Sequence, residues 1–454
     1  MSHKILRGSR GTRLTGLKAR PEKLQSQFES GLKHHKAGNL QKARQFYLKV
    51  LKSNPRHNDA RHMLGLLANQ NGDFTTAIKH LSLALDDNRD SPALLTNFGN
   101  ALQANGRLEE AIQAFQNAIH IDPAFSLAHN NLGNALQAAG KIDAAIAAFE
   151  QAIKRNPNYA QAHYNLANAL LSTGATDKAI AWYRSAIAID PGLTDAIKNL
   201  AKILMDRGET QEAATLFRRV LQHNKHDALA QHLLAALQGE TTRSAPQDYV
   251  IDLFDSVADS FDQRLVEDLA YHAPEYLLGA IQKHLGKTDE ALSVMDLGCG
   301  TGLCGPLFRS MAGTLTGIDL SPKMLAAAGY RDVYDTLIAG DIQHELSASN
   351  HRYDIIVAAD VFIYVGDLQQ VFAAAEKALK PGGLFAFSLE SDEQGTTYVL
   401  RRSGRYAHSI HYVRTLMTGT GLREASLDQV TLRKENDTVI DGYICVLRKT
   451  GGLA

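Results

Sequence analysis

Gly298, Gly300 and Gly302 alternate with Cys299 and Thr301 directly after the apolar run Val-Met-Asp-Leu at 294–297. A side chain at any of the three would hinder a sharp turn whose backbone lies against a ligand, so the segment reads as a cofactor loop at the end of a strand. A second apolar run, 314–318, ends in Asp319. That acid lies about 20 residues downstream, where open α/β nucleotide sites place the carboxylate that binds a ribose diol. The dinucleotide fingerprint would need glycine at Leu303, so Asp296-x-Gly298-x-Gly300-x-Gly302 implies a different cofactor class. Cys299, Cys304 and Cys445 have neither paired-thiol nor zinc spacing; they read as small packing residues, and no metal site is expected.

These residues need a frame. Apolar runs at 293–297, 314–318, 336–339, 353–359 and 384–389 alternate with helical segments, which argues for a parallel sheet with helices on both faces. Residues 423–433 and 439–448 follow each other without a helix and are expected to form an antiparallel hairpin. Ligands in such sheets bind beyond the carboxyl ends of the strands, where Asp319, Asp341 and Asp360 fall. Upstream, Tyr249, Leu253, Phe254, Val257, Phe261 and Leu265 recur at helical spacing, either as a surface helix or as a cover over the site. The polar stretch 241–248 before them is read as an interdomain linker.

The first half is periodic. Gly38, Gly72, Gly106, Gly140, Gly174 and Gly208 recur every 34 residues, each followed by alanine, from Ala43 to Ala213, and then by a bulky residue such as Leu81, Phe115 or Phe149. Gly65, Gly99, Gly133 and Ala167 would let helices approach, with the bulky residue filling the space between repeats. Six in-phase copies resemble tetratricopeptide (TPR) helix pairs, and 228–237 reads as the capping helix that seals the stack. One stripe is not accounted for by packing: Asn97, Asn131, Asn165 and Asn199 share a repeat position, and Asn100, Asn134 and Asn168 follow one helical turn later. Asparagine is a mediocre helix former, and a row of carboxamides can pair with an extended peptide. The stripe resembles the asparagine ladder of O-linked N-acetylglucosamine transferase, which implies a partner-binding groove; the alternative is a solvated polar groove.

Lys+Arg and Asp+Glu both number 48, so no global field draws the chain to nucleic acid or an anionic membrane, and neither partner is expected. Residues 1–22 are locally basic, with Lys4, Arg7, Arg10, Arg13, Lys18 and Arg20 ahead of Glu22. An unfolded solubilising tail, an anchor for an acidic partner and a targeting peptide stay open there. No apolar run approaches the ~18 residues of a membrane span and no secretory signal opens the chain, so a cytoplasmic protein is expected.

On the glycine loop and the ordered acids, the region from Tyr249 to Lys449 resembles class I S-adenosylmethionine-dependent methyltransferases of the Rossmann-like type. The resemblance implies that Asp296 and Gly298 line the methionine moiety, with Cys299, Gly300 and Gly302 completing the loop. It further implies that Asp319 chelates the ribose, Leu320 and Met324 pack on the adenosine, Asp341 accepts from the adenine amino group beside Ile342, and Asp360 lies where the methyl faces its acceptor. The segment Phe-Asp-x-x-Ala-x-x-Phe-Asp, 254–262, is implied to be a lid, with Tyr249 and Phe254 as contacts. A general base is needed only if the acceptor arrives protonated; Tyr364, His408 and His411 are its candidates.

The whole chain resembles bacterial-type methyltransferases fused to N-terminal TPR repeats. The expected architecture is multidomain: a basic tail at 1–22, an α-solenoid of six TPR repeats plus a capping helix at 23–240, a linker at 241–248, a helical lid at 249–286, and an α/β Rossmann-like methyltransferase domain at 287–450. Asp360-Val-Phe-Ile-Tyr364 is not the Asp/Asn-Pro-Pro-Tyr/Phe of adenine-N6 and glutamine enzymes, and neither a Pro-Cys nucleophile nor a double-glutamate loop is present. The expected function is methyl transfer from S-adenosylmethionine, with the repeats recruiting a protein or peptide that is itself a candidate acceptor. The alternatives are a small-molecule O- or N-methyltransferase that uses the repeats for docking, and a non-catalytic adaptor.

Overall fold

The computed structural model describes residues 21–258, 261–263, 265, 271–286, 291–349, 351–435 and 438–451. The basic tail lies outside the described residues, apart from its last two. The chain divides into two compact units between Ala196 and Ile197.

In the first unit, helices Pro21–Lys36, Leu40–Ser53, Asn58–Gln70, Phe74–Asp87, Pro92–Ala104, Leu108–Ile121, Ser126–Ala138, Ile142–Arg155, Ala160–Ser172 and Thr176–Ile189 follow the 34-residue period in pairs. Two kinds of glycine set the geometry. Gly106 turns the chain within a pair at φ +77, and a Cβ there would meet nothing within 4 Å, so its backbone conformation is the whole reason for glycine. Gly133 has the opposite reason: its Cβ would stand 2.4 Å from the ring of Phe149, which is fully buried. The bulky residue of the second helix therefore sits on the bare backbone of the first, as the repeat pattern implies.

The asparagine stripe is corrected by this unit. Asn131 Nδ2 donates to Asn100 Oδ1 at 2.8 Å, and Asn165 Nδ2 donates to Asn134 Oδ1 at 3.0 Å and to Asn130 Oδ1 at 2.9 Å. Asn97 Nδ2 pairs with His62 Nε2 at 2.8 Å, and the Tyr183 hydroxyl donates to Asn168 Oδ1 at 2.5 Å. Asn165 and Asn130 are buried. The amides of Asn97, Asn131 and Asn165 lace consecutive repeats together, and Asn168 is held within its own repeat by Tyr183, so packing accounts for this part of the stripe without a bound peptide.

The second unit begins inside helix Thr194–Asp206, which carries Asn199, and continues through helices Thr210–His223 and Ala228–Gln238 into the α/β fold. Its strands are β1 (Leu292–Leu297), β2 (Ala312–Asp319), β3 (Thr336–Ala339), β4 (Tyr353–Ala358), β5 (Leu379–Glu390), β6 (Tyr398–Leu400), β7 (Tyr406–His408), β8 (Leu422–Glu435) and β9 (Thr438–Lys449). Seven form one sheet in the order β3-β2-β1-β4-β5-β9-β8. The pairs among β1 to β5 are parallel, and β9 pairs antiparallel with both β5 and β8. Alternation along the strands splits the core between the faces: Met295, Leu297, Ile356, Phe385 and Phe387 pack on one, Val294, Ile355, Val357, Leu384 and Ala386 on the other. The order reverses at β1 and β4, and a ligand crevice is expected beyond their carboxyl ends. The short β6-β7 hairpin, absent from the sequence reading, lies between β5 and the helix Ile410–Met417.

No helix among the described residues is long and apolar enough to cross a membrane.

Candidate active site

A cavity of about 460 Å³ opens at that switch point, lined among others by Gly298, Gly300, Asp319, Asp341, Asp360 and Phe254. The loop after β1 runs through three left-handed glycines, at φ +60, +55 and +86 for Gly298, Gly300 and Gly302. A Cβ on Gly298 would lie 2.6 Å from Val361, whereas one on Gly300 would face open cavity, with Phe261 its nearest neighbour at 3.8 Å. Gly300 thus exposes bare backbone to whatever fills the space.

Asp319, at the tip of β2, braces this loop. It accepts from Gly300 N at 2.9 Å and from Ser321 N at 2.8 Å. Burial pushes its pKa above the ordinary carboxylate value, against the pull of these backbone N–H groups. Asp341 follows β3 and caps helix Ile342–Ala348, with Oδ1 accepting from Gln343 N at 2.9 Å and His344 N at 3.0 Å. Its other oxygen accepts from Gln247 Nε2 at 3.1 Å. Leu320, Ile342 and Cys299 also line the cavity, and burial raises the Cys299 thiol. Bare backbone at Gly300, a carboxylate at the end of β2, a second after β3 and apolar Leu320 and Ile342 between them fit a nucleoside with a polar tail.

The cover comes from helix Gln247–Asp255 and the turn after it. Phe254, Val257 and Phe261 face the cavity. Asp255 Oδ1 accepts from Ser321 Oγ at 2.5 Å, and Asp262 accepts from Thr301 Oγ1 and pairs with Arg331. Of the expected lid at 249–286, residues 259, 260, 264 and 266–270 lie outside the described residues.

Several expected contacts are elsewhere. Asp296 is 1% exposed and lies under the loop, held by the Tyr334 hydroxyl at 2.6 Å; burial, with Asp319 adding repulsion, raises its pKa to about 7. It does not line the cavity, because β1 turns its side chain into the interior. Gly302 points at Tyr334, 2.9 Å from a would-be Cβ, so it serves packing. Met324 is fully buried in the first turn of helix Pro322–Gly329. Tyr249 turns its ring to His232, at 4.8 Å between centroids. His408 is fully buried, with Nε2 3.0 Å from both Val365 O and Gly366 O; burial holds its pKa at about 4. His411 is exposed on helix Ile410–Met417 and is not part of the cavity wall. Of the three expected bases only Tyr364 reaches the cavity, and burial pushes its phenol well up.

Beyond β4 the wall is polar. Asp360 sits at φ +53, a backbone shape that non-glycine residues rarely adopt, and is tied down on every side. Its N–H donates to Ser388 Oγ at 2.7 Å, the same hydroxyl donates to Oδ1 at 2.8 Å, and Arg433 Nη1 meets Oδ2 at 2.7 Å. Arg433 also pairs with the buried Glu390, to which Arg401 and Arg405 come within 3.5 and 3.9 Å. Arg433, Arg405 and Tyr271 line the cavity, and the sequence reading missed all three. The readable signal was Arg433 as a basic residue inside an otherwise strand-like run.

The segment 241–248 is not a linker. Ala245 N donates to Tyr364 O at 2.9 Å, Arg243 O accepts from Gly366 N at 2.9 Å and Asp367 N at 2.7 Å, and Ser244, Ala245 and Gln247 line the cavity. Its backbone pairs with the turn after β4, as an added short strand would.

Comparison with known proteins places repeats in the N-terminal region, running past the boundary at Ala196 and Ile197, and a methyltransferase domain after them. Residues 295–387 match the family model of a methyltransferase domain, and 31–93, 99–140, 130–194 and 174–237 match models of the tetratricopeptide repeat. The chain is 30% identical over 139 residues to a malonyl-[acyl-carrier protein] O-methyltransferase of Serratia marcescens, covering 31% of this chain and 51% of that one. It is 33% identical over 105 residues to a ubiquinone biosynthesis O-methyltransferase of Hydrogenovibrio crunogenus, covering 22% and 43%. The chain thus spans about half the length of the curated relatives it matches. Among solved structures, Pseudomonas aeruginosa PilF is similar at 21% identity and a TM-score of 0.42, over 48% of this chain and 98% of that one. The chain carries tetratricopeptide repeats in its N-terminal region and a methyltransferase domain in its C-terminal region.

Proposed function

We propose that this chain is an S-adenosylmethionine-dependent methyltransferase whose repeats recruit a protein partner, and that its methyl acceptor is an oxygen. The cofactor assignment rests above all on Asp319, which reaches the cavity from the tip of β2 while fixing the bare backbone of Gly300. The oxygen acceptor is carried over from the curated relatives, both O-methyltransferases by name.

Gly300 and Asp319 would hold the amino-acid and ribose parts of the cofactor, Leu320 and Ile342 the base, with Asp341 accepting from its amino group. When bound, the cofactor supplies a methyl group on a sulfonium, a leaving group that needs no protonation. The protein's task is alignment in a site from which water is excluded. Phe254, Val257 and Phe261 supply the dry cover. Asp360, locked by Ser388 and Arg433, presents a fixed carboxylate edge at the far end of the cavity. With His408 buried and His411 outside, no imidazole lines the cavity among the described residues.

The test is calorimetric titration of the full chain with S-adenosylhomocysteine, with Asp319→Ala as the comparison. Loss of hydrogen bonds to a charged acceptor, at about 1.5–3 kcal/mol each, should weaken binding at least tenfold. No binding by the wild-type chain would overturn the reading. Tritiated-methyl labelling of an extract, sorted into protein and small-molecule fractions, then identifies the acceptor.

A further inference from the structure

The second unit begins before the catalytic fold does, and a helix ahead of that fold holds a turn beside one end of the cavity. Helix Ala228–Gln238, the last of the repeat-like helices, carries His232, which is 2% exposed. His232 Nε2 lies 2.8 Å from Gly404 O. A carbonyl can only accept, so this nitrogen bears the proton, and burial favours the neutral ring that has a single N–H to give. The gripped residue closes a tight turn: Gly404 N donates to Arg401 O at 2.9 Å, and Arg401 N to Arg405 O at 2.8 Å. Gly404 stands at φ +80, and a Cβ there would lie 2.7 Å from Leu233 of the same helix. The carbonyl held by His232 belongs to the peptide that leads into Arg405, which lines the cavity.

The rest of the hairpin is held from the same side. Thr242 Oγ1 and the Tyr406 hydroxyl are 2.5 Å apart, and Leu400 N donates to Thr241 Oγ1 at 3.3 Å. The rings of Tyr249 and Tyr406 flank His232 at 4.8 and 6.1 Å. Among the described residues, the Gly300 and Asp319 end is built from β1, β2 and the lid, and helix Ala228–Gln238 reaches it only through Tyr249 of the lid helix.

We infer that His232 is a positioning residue for the methyl acceptor: the helix that ends the repeats holds the Arg401–Arg405 turn, and with it the Arg405 side of the cavity, in its working place. The inference rests on the methyltransferase reading and adds a division of labour to it. The last repeat-like helix meets the cofactor end only through the lid helix, by the His232–Tyr249 ring contact, whereas it holds the Arg405 side directly through the Gly404 carbonyl. A methyltransferase domain cut free at 249 would lose Ser244, Ala245 and Gln247 from its wall and the support of Arg405.

The experiment uses the full chain as wild type, His232→Ala, His232→Gln and Gly404→Ala. Three quantities are measured: amide exchange by segment, S-adenosylhomocysteine affinity, and methyl transfer from labelled S-adenosylmethionine into graded amounts of an extract from cells lacking the protein. In His232→Ala, exchange at 398–408 should rise tenfold or more while that at 292–302 stays within twofold. S-adenosylhomocysteine affinity should stay within twofold, and the extract concentration for half-maximal rate should rise at least fivefold. Glutamine, which keeps an N–H donor, should recover most of the loss, and Gly404→Ala should reproduce it. Unchanged exchange at 398–408, or cofactor affinity falling as far as transfer does, would overturn the assignment. Wild-type chain that fails to bind S-adenosylhomocysteine would overturn the methyltransferase reading as well, whereas intact binding with unaltered transfer in His232→Ala would overturn the acceptor role alone.

Discussion

Replacing Asp296 by asparagine should make the catalytic unit less sensitive to pH. The carboxyl is 1% exposed, and burial raises its pKa to about 7 despite the hydrogen bond from Tyr334. In the unfolded chain the same group titrates near ~3.9. The folded state therefore keeps a proton that the unfolded state has already lost, so the contribution of this group is complete below about pH 4 and disappears as pH rises through about 7. Three pH units correspond to roughly 4 kcal/mol in all, of which about 2.5 kcal/mol is lost between pH 5 and pH 8. Asparagine keeps an oxygen for the Tyr334 hydroxyl and does not titrate. Wild type minus Asp296→Asn should thus change by about 2.5 kcal/mol between pH 5 and pH 8, other titrating groups cancelling in the difference. Trp182, the single tryptophan, lies in the other unit, so fluorescence reports the wrong transition. The measurement is amide exchange of β1 as a function of urea, corrected for the intrinsic pH dependence of exchange. A difference that stays constant within about 0.5 kcal/mol would refute the argument that Asp296 is protonated in the folded unit.

Asn165→Ala should destabilise the first unit by about 1–3 kcal/mol, since it removes two inter-repeat bonds and strands the buried Asn130, and Asn131→Ala by about 1 kcal/mol; Trp182 fluorescence in urea measures both, and unchanged midpoints would return the stripe to a ligand. Gly300→Ala should fold, at a cost of about 1 kcal/mol for its left-handed backbone, but lose S-adenosylhomocysteine affinity by calorimetry. Gly302→Ala should instead fail in melting experiments, because its methyl meets Tyr334; the reverse pattern would show that the loop has been assigned backwards. His411→Ala should leave the pH profile of methyl transfer unchanged, whereas His408→Ala should cost about 1–3 kcal/mol of stability by leaving buried carbonyls unpaired; a missing limb near pH 6–7 in either variant would restore a histidine base.

The repeats and the parallel sheet were legible because both write their period into the chain: 34 residues from Gly38 to Gly208, and strands each bounded by turn residues. Gly300, Asp319, Asp341 and Phe254 were legible because local backbone position alone carries them to the carboxyl ends of strands or into the cover. What failed were statements about where side chains point. Asp296 lies one strand residue away from Leu297, and alternation turned it inward; Met324 sits four residues past Leu320, on the buried side of its helix. The asparagine stripe was visible as a pattern, but its partners are 31 and 35 residues away, so only the superhelix shows that the amides meet one another. Arg433 was hidden by a register shift between Thr431 and Arg433, which changes the face its side chain takes. The segment 241–248 is polar, as linkers are, and its hydrogen bonds are made through backbone that composition does not reveal.

Cys299 gives the glycine loop a built-in clock. The residue is 7% exposed in the cavity wall and burial raises its thiol, so a maleimide or disulfide reagent meets a group of low reactivity in the structure as it stands. Cys304 and Cys445 are buried deeper and equally suppressed. The reaction of this thiol with such a reagent therefore reports on the loop that Asp319 braces through Gly300 N. A ligand that closes the loop is registered as a thiol that stops ageing, with no label attached to the chain.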